Sequence, residues 1–223
     1  MKPLRECRLY TFVDVAYLNG RAPEQVAQEL CDGGSDLIQL RAKDCTPDEV
    51  RRMAEAILPI TRRAGVGLVI NDHLPVAMEV AAEFCHLGQE DFFDAGYREV
   101  SELYTKNETG RTTLARLGMK VQVGLSTHAP DQARRAEVAG PGYIAVGPVY
   151  ATGTKPTAKP VTPEYVRWAA ANVKIPWFAI GGINLGNLEE VLTAGARRIC
   201  VVSAVLNAAD VAGACREFRR RLE

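Results

Sequence analysis

Eight short apolar runs, each followed by a stretch long enough for a helix or a connector, predict an α/β fold: a (β/α)8 TIM barrel built as a single domain. The runs fall near 8–14, 36–41, 66–71, 83–87, 120–124, 142–147, 177–181 and 198–202. Two further observations support the prediction. The 223 residues suit one such barrel near the lower end of its size range. Several runs are continuously apolar, such as Ile144-Ala145-Val146 and Ile199-Cys200-Val201-Val202, as parallel strands covered on both faces should be. The rival is a doubly wound open sheet. It would place a glycine-rich loop in the first strand–helix turn, where this chain has none.

The intervening stretches carry helix punctuation. Thr46-Pro47-Asp48-Glu49 offers Thr46 as N-cap, Pro47 in the first turn and Glu49 to close a capping box. Thr162-Pro163-Glu164 opens another helix, and the helix from Glu189 stops at Gly195. One stretch, Tyr97 to Thr113, is rich in Glu, Lys, Thr and Asn and reads as a polar surface insertion.

Composition excludes several functions. Basic and acidic residues balance at 27 each, and aromatics are only 7%. Neither a net basic charge nor a basic–aromatic stretch points to nucleic acid. No apolar run approaches the roughly 20 residues of a membrane span. Met1 to Glu6 lacks the hydrophobic region of a signal peptide, so a cytoplasmic location is expected. Six scattered cysteines without a Cys-x-x-Cys pair predict reduced thiols, and neither they nor the three histidines fall at zinc-ligand spacing.

Barrels of this class build active sites at the C-terminal ends of their strands, and there the polar residues gather. The second strand runs into Gln39-Leu40-Arg41-Ala42-Lys43-Asp44. Side chains alternate faces along a strand, so Gln39, Arg41 and Lys43 share one. Unpaired buried charge costs several kcal/mol, by roughly the usual desolvation figure, so an inward cationic strip calls for an anion. A frayed strand end in solvent is the bland alternative. The third strand ends at Asn71-Asp72, and the fourth leads through His86 to Asp91. Two carboxylates there suit a hard cation such as Mg2+, although Asn-Asp after a strand also suits a turn or helix cap. Ser126 and Thr127, after the fifth strand, suit a helix cap, and no acidic partner for a Ser–His relay is evident. The loop after the sixth strand, Gly147 to Pro156, holds hydroxyls and Lys155. Gly181-Gly182 and Val202-Ser203 end the last two strands, where barrels often bind phosphate through backbone N–H groups. Two anion-binding regions imply transfer of a group from its diphosphate to a phosphorylated acceptor.

These motifs, taken in order, resemble the thiamine-phosphate synthase (thiamine-phosphate pyrophosphorylase) family. The resemblance rests on Gln-Leu-Arg-x-Lys-Asp (39–44), Ile-Asn-Asp (70–72), His-Leu-Gly-Gln-Glu-Asp (86–91), Gly-x-Ser-Thr-His (124–128), Gly-Pro-x-x-x-Thr-x-Thr-Lys (147–155), Ile-Gly-Gly-Ile (180–183) and Val-Ser-Ala (202–204). It implies a (β/α)8 transferase that joins 4-amino-2-methyl-5-hydroxymethylpyrimidine diphosphate to 4-methyl-5-(2-phosphoethyl)thiazole, or to its carboxylated form with loss of CO2. Thiamine monophosphate and diphosphate are the implied products. Carried over by resemblance, Gln39, Leu40, Arg41, Ala42, Lys43, Asn71, Ser126 and Lys155 bind the pyrimidine diphosphate. Lys43, Arg41, Lys155 and Ser126 are the implied catalytic groups. Thr152, Gly153, Thr154, Gly182, Val202 and Ser203 bind the thiazole phosphate. Asp72 and Asp91 hold Mg2+, one ion per subunit.

The implied mechanism is dissociative, with diphosphate leaving before the thiazole nitrogen attacks. The expected partners are small phosphorylated molecules, with neither nucleic acid nor membrane; oligomeric state, a homo-oligomer included, is left open. Two departures from the family pattern stand out. The stretch between Asp91 and Ser126 is long, and Pro156 to Pro160 match only loosely. A related barrel that isomerises or aromatises the thiazole phosphate would need no diphosphate cluster. A non-catalytic regulator would bind a thiamine precursor without releasing diphosphate.

Overall fold

Strand order around the sheet follows chain order, and the last strand pairs with the first to close a parallel barrel. The computed structural model describes residues 1–105, 120–153 and 159–223. The strands are β1 (Leu9–Asp14), β2 (Leu37–Arg41), β3 (Gly67–Asn71), β4 (Phe84–Leu87), β5 (Gln122–Thr127), β6 (Tyr143–Val146), β7 (Trp177–Ala179) and β8 (Ile199–Cys200). All eight expected strands are present. The clearest shift is β5, which runs past Gly124 through Ser126 and Thr127. Ser126 pairs with Ala145 and Thr127 with Val146, and the Thr127 hydroxyl donates to the Ala145 carbonyl at 2.8 Å. Those cross-strand bonds extend the strand beyond its apolar portion. At β7 the opposite happens: Gly181 turns to φ +103° and ends the extended run.

The helices among the described residues are α1 (Pro23–Asp32), α2 (Pro47–Ala64), α3 (Leu74–Glu79), α4 (Gln89–Asp94), α5 (Ser101–Thr105), α6 (Pro130–Val138), α7 (Thr162–Asn172), α8 (Leu188–Thr193), α9 (Ser203–Leu206) and α10 (Val211–Leu222). The capping box of α2 forms as its sequence predicts. The Glu49 N–H donates to Thr46 Oγ1 at 3.3 Å, and the Thr46 N–H to Glu49 Oε2 at 2.7 Å. Val50, Ala54, Ile57 and Leu58 of α2 are buried at helical spacing against the barrel. Part of the polar stretch after Tyr97 is helical in α5, where Leu103 is buried. Residues 106–113 of the expected insertion lie outside the described residues.

Inside the barrel, Tyr10, Phe84, Tyr143 and Phe178 are at most 1% exposed. Their rings meet edge to face, with Tyr10–Phe178 centroids at 5.3 Å and Tyr143–Phe178 at 5.5 Å. The Tyr143 ring lies against the Cα of Gly124, where any side chain would collide with it. Glycine in the Gly-x-Ser-Thr-His motif is therefore a packing requirement. The N-terminal rim is fastened by Asp36, just ahead of β2. Its carboxylate accepts from the Arg8 N–H at 2.7 Å, the Leu9 N–H at 3.1 Å, Lys2 Nζ at 2.8 Å and Arg219 Nη1 at 2.5 Å.

Candidate active site

The barrel's C-terminal mouth opens into a cavity with Tyr10 and Phe12 among its lining residues. The alternation predicted for β2 holds. Gln39, Arg41 and Lys43 line the cavity, while Leu40 and Ala42 are buried outside it. The side chains of Leu40 and Ala42 therefore face the protein interior and leave only their backbone for a ligand.

Arg41 does not stand alone. Asp14, at the top of β1, pairs with it across the strand register and accepts from Arg41 Nη1 at 2.7 Å. The same carboxylate accepts the Ala16 N–H at 3.1 Å, capping the short 3-10 turn Val15–Tyr17. Asp14 is 1% exposed, so it holds the guanidinium at the rim by a buried anchor. Part of the anion that the Arg41 charge calls for is thus a buried carboxylate of the protein itself. Lys43, by contrast, is exposed and pairs with no acid among the described residues.

Asn71 and Asp72 enter from β3 and Asp91 from the first turn of α4. The Asn71 amide donates to Asp72 Oδ2 at 2.6 Å, and the Asp72 N–H donates to the His86 carbonyl at 2.9 Å. Asp72 holds a left-handed φ of +62°, an unusual geometry for a non-glycine residue. Asp91 turns its carboxylate back over Gly88. Both acids are exposed, share the cavity wall and form no ion pair with a described residue. No cluster of three or more His, Cys, Asp or Glu that suits a metal occurs among the described residues. Two carboxylates nonetheless match magnesium, which keeps several waters and takes substrate phosphate oxygens.

Ser126 caps no helix. The N-cap of α6 is Ala129, without a side-chain bond. Ser126 instead lines the cavity and contacts His86 Nε2 at 2.9 Å. His128 also lines the wall, and its Nδ1 bonds the Gly147 carbonyl.

The far wall is knitted from two loops. The Val149 N–H donates to the Ile180 carbonyl at 2.8 Å, and the Tyr150 N–H to Gly181 at 3.0 Å. This ladder carries Thr152 to the cavity and brings Ala151 against Gly182, whose φ is +65°. Thr152 and Val202 line the cavity wall; Gly153, Gly182 and Ser203 are not among its lining residues, though each follows one in sequence. The Gly182 and Ser203 N–H groups find no acceptor among the described residues. Thr154 and Lys155 lie outside the described residues.

Sequence reasoning missed Tyr10, Phe12, Asp14 and Tyr143 as site residues, and gave His86 no role. Burial pushes the Tyr10 and Tyr143 hydroxyls well above the ordinary tyrosine range, so both stay protonated. All six cysteines are free thiols, and burial likewise raises Cys85 and Cys200. No helix among the described residues is long and apolar enough to cross a membrane.

Comparison with known proteins agrees over nearly the whole chain. Residues 9–205 match the family described as thiamine monophosphate synthase. A thiamine-phosphate synthase of Halalkalibacterium halodurans is 37% identical over 221 residues, covering 99% of this chain and 97% of that protein. One from Thermus thermophilus is 44% identical over 191 residues, covering 85% of this chain and 84% of the other. Among solved structures, a thiamine phosphate pyrophosphorylase from Pyrococcus furiosus superposes with a TM-score of 0.82 at 29% identity, covering 99% of this chain and 98% of that one.

Proposed function

The chain belongs to the thiamine monophosphate synthase family, and its activity is that of a transferase, a thiamine-phosphate synthase; on that premise we propose how its cavity performs the reaction. The substrates are the aminopyrimidine diphosphate and the thiazole phosphate, the latter aromatic or carboxylated. The single observation that carries the reading is the pairing, in one cavity, of the Gln39–Arg41–Lys43 strip with Asp72 and Asp91. A phosphorylated acceptor alone needs only the backbone cup near Gly182 and Ser203. The second, cationic wall suits a diphosphate.

Arg41, braced by Asp14, and Lys43 take the diphosphate oxygens, and the motif assigns Lys155 to the same group as a third cation. Their charge is set before the reaction begins, so it stabilises the negative charge that builds as the C–O bond breaks. Asp72 and Asp91 would hold one Mg2+, which would supply further neutralisation of the leaving diphosphate. Asn71 and Gln39 orient the pyrimidine, and Ser126 faces its reacting edge. Thr152 and Gly153 approach the thiazole phosphate from one side, and Val202 and Ser203 from the other; the motif assigns Thr154 to the same phosphate. The electron-rich aminopyrimidine carries the positive charge left on its methylene carbon, and the thiazole nitrogen captures it. The one hydroxyl–imidazole contact described in this cavity, Ser126 Oγ to His86 Nε2, has the Tyr143 hydroxyl rather than a carboxylate at Nδ1, which favours this dissociative path over a covalent enzyme intermediate.

The test is direct. Purified protein with both substrates and Mg2+ should release diphosphate and form thiamine phosphate in equal amounts. Thiazole isomerisation without diphosphate release, or binding without turnover, would overturn the reading.

A further inference from the structure

A continuous chain of polar side chains crosses the barrel interior beneath the cavity. Gln39 Nε2 donates to the Tyr10 hydroxyl at 2.6 Å. The Tyr10 and Tyr143 hydroxyls lie 3.0 Å apart, and Tyr143 lies 3.1 Å from His86 Nδ1. His86 Nε2 then reaches Ser126 Oγ at 2.9 Å. The chain links β1, β2, β4, β5 and β6 and begins and ends at residues that line the cavity.

The bonds have one direction. Tyr10 accepts from Gln39, so its own hydrogen goes to Tyr143. The Tyr143 hydrogen goes to His86 Nδ1. His86 therefore carries its proton on Nε2 and donates to Ser126. The Ser126 hydrogen is left to donate into the cavity. Reversing the Tyr10–Tyr143 link alone gives Tyr10 two donors, and reversing the Tyr143–His86 link alone gives Tyr143 two; either strands a hydroxyl hydrogen in the interior, a situation folded proteins avoid. The opposite polarity is reached only if the Gln39 amide turns its oxygen to Tyr10 and every link reverses together.

We propose that His86 and Tyr143 are positioning residues that, through Tyr10, couple Gln39 to Ser126, so that a ligand meeting Gln39 as an acceptor meets Ser126 as a donor. The relay suits a heteroaromatic ring that offers an amino group on one side and a hydrogen-bond acceptor on the other. Its catalytic consequence rests on the function proposed above; its polarity does not.

Two measurements separate these. Nitrogen NMR on 15N-histidine protein, with only three histidines to resolve, reads the His86 tautomer without substrate. A proton on Nε2, lost to a mixture in Tyr143→Phe, supports the relay; a proton on Nδ1 in the native protein overturns it, whatever the enzyme does. The second measurement is kinetic. His86→Asn removes the donor to Ser126 and should lower kcat about tenfold, the worth of one oriented hydrogen bond, with KM for the thiazole phosphate unchanged. His86→Gln, whose amide nitrogen takes the place of Nε2, should recover most of that loss. In a Ser126→Ala background, His86→Asn should add nothing. Equal losses in the two His86 variants, or a full additional loss in the Ser126→Ala background, would reduce His86 to packing. Where both variants misfold, Tyr143→Phe, which keeps the ring, gives the same kinetic comparison. A native enzyme that releases no diphosphate would sink the proposed function and leave the NMR result to judge the relay.

Discussion

Asp36, just before β2, and Lys43, just after it, sit at opposite ends of one strand and meet opposite surroundings. Asp36 is 5% exposed and accepts four hydrogen bonds, two from backbone N–H groups and two from Lys2 and Arg219. Lys43 faces solvent and the cavity and forms no ion pair with a described residue. The lower rim spends its charges on itself; the upper rim holds them ready for a ligand. A charge satisfied inside the protein contributes to folding, whereas one left open contributes to binding. Arg41 lies between the extremes, with one face tied to buried Asp14.

The comparison breaks first at Asp36. Asp36→Ala leaves Arg219 and two backbone N–H groups without their acceptor and should cost about 3–5 kcal/mol, read from urea unfolding. The fraction that remains folded should turn over normally. Lys43→Ala and Asp91→Ala should do the reverse. Each should lower turnover about a hundredfold or more, with a thermal midpoint within a few degrees of the native protein. Near-normal activity in both would separate the open rim from the chemistry. Asp14→Asn keeps the acceptor for Ala16 but removes the charge behind Arg41. It should raise KM for the diphosphate substrate about tenfold, the ordinary worth of one charged contact.

Acid sharpens the contrast. Burial alone would raise the Asp36 carboxyl, but the Arg8 N–H, Lys2, the Leu9 N–H and Arg219 outweigh it and hold it below its ordinary 3.8. Its contribution to stability is therefore complete above the unfolded value and lost as pH falls through the lower folded value. Urea midpoints should fall below about pH 4 in the native protein, with this component absent in Asp36→Asn. The smallest effect belongs to Thr46→Ala at the open rim. It removes the cap of α2 without touching the cavity, and should cost about 1 kcal/mol with kcat unchanged.

The sequence made the barrel legible because its information is local. Period-two alternation placed Gln39, Arg41 and Lys43 on one wall, and the Thr46–Glu49 signature placed the start of α2. What it hid was lateral. Asp14 is a single acid after an apolar run, and nothing in Val13-Asp14 reveals that β1 and β2 pair it with Arg41. His86 stood in a recognisable motif, but Tyr143, its partner, is 57 positions further along. The end of β5 was missed because Ser126 and Thr127 look like cap residues until a neighbouring strand engages them. Lys155 and Thr154 fall outside the described residues, so their parts rest on the motif alone.

The edge-to-face rings of Tyr10, Phe84, Tyr143 and Phe178 make the barrel a cul-de-sac. Under the proposed reaction both substrates and both products share one doorway. The molecule that lodges deepest must board first, and the joined product cannot leave from beneath a diphosphate still parked at the mouth. The packing of four uncharged aromatic rings thereby fixes the traffic order of the chemistry above it.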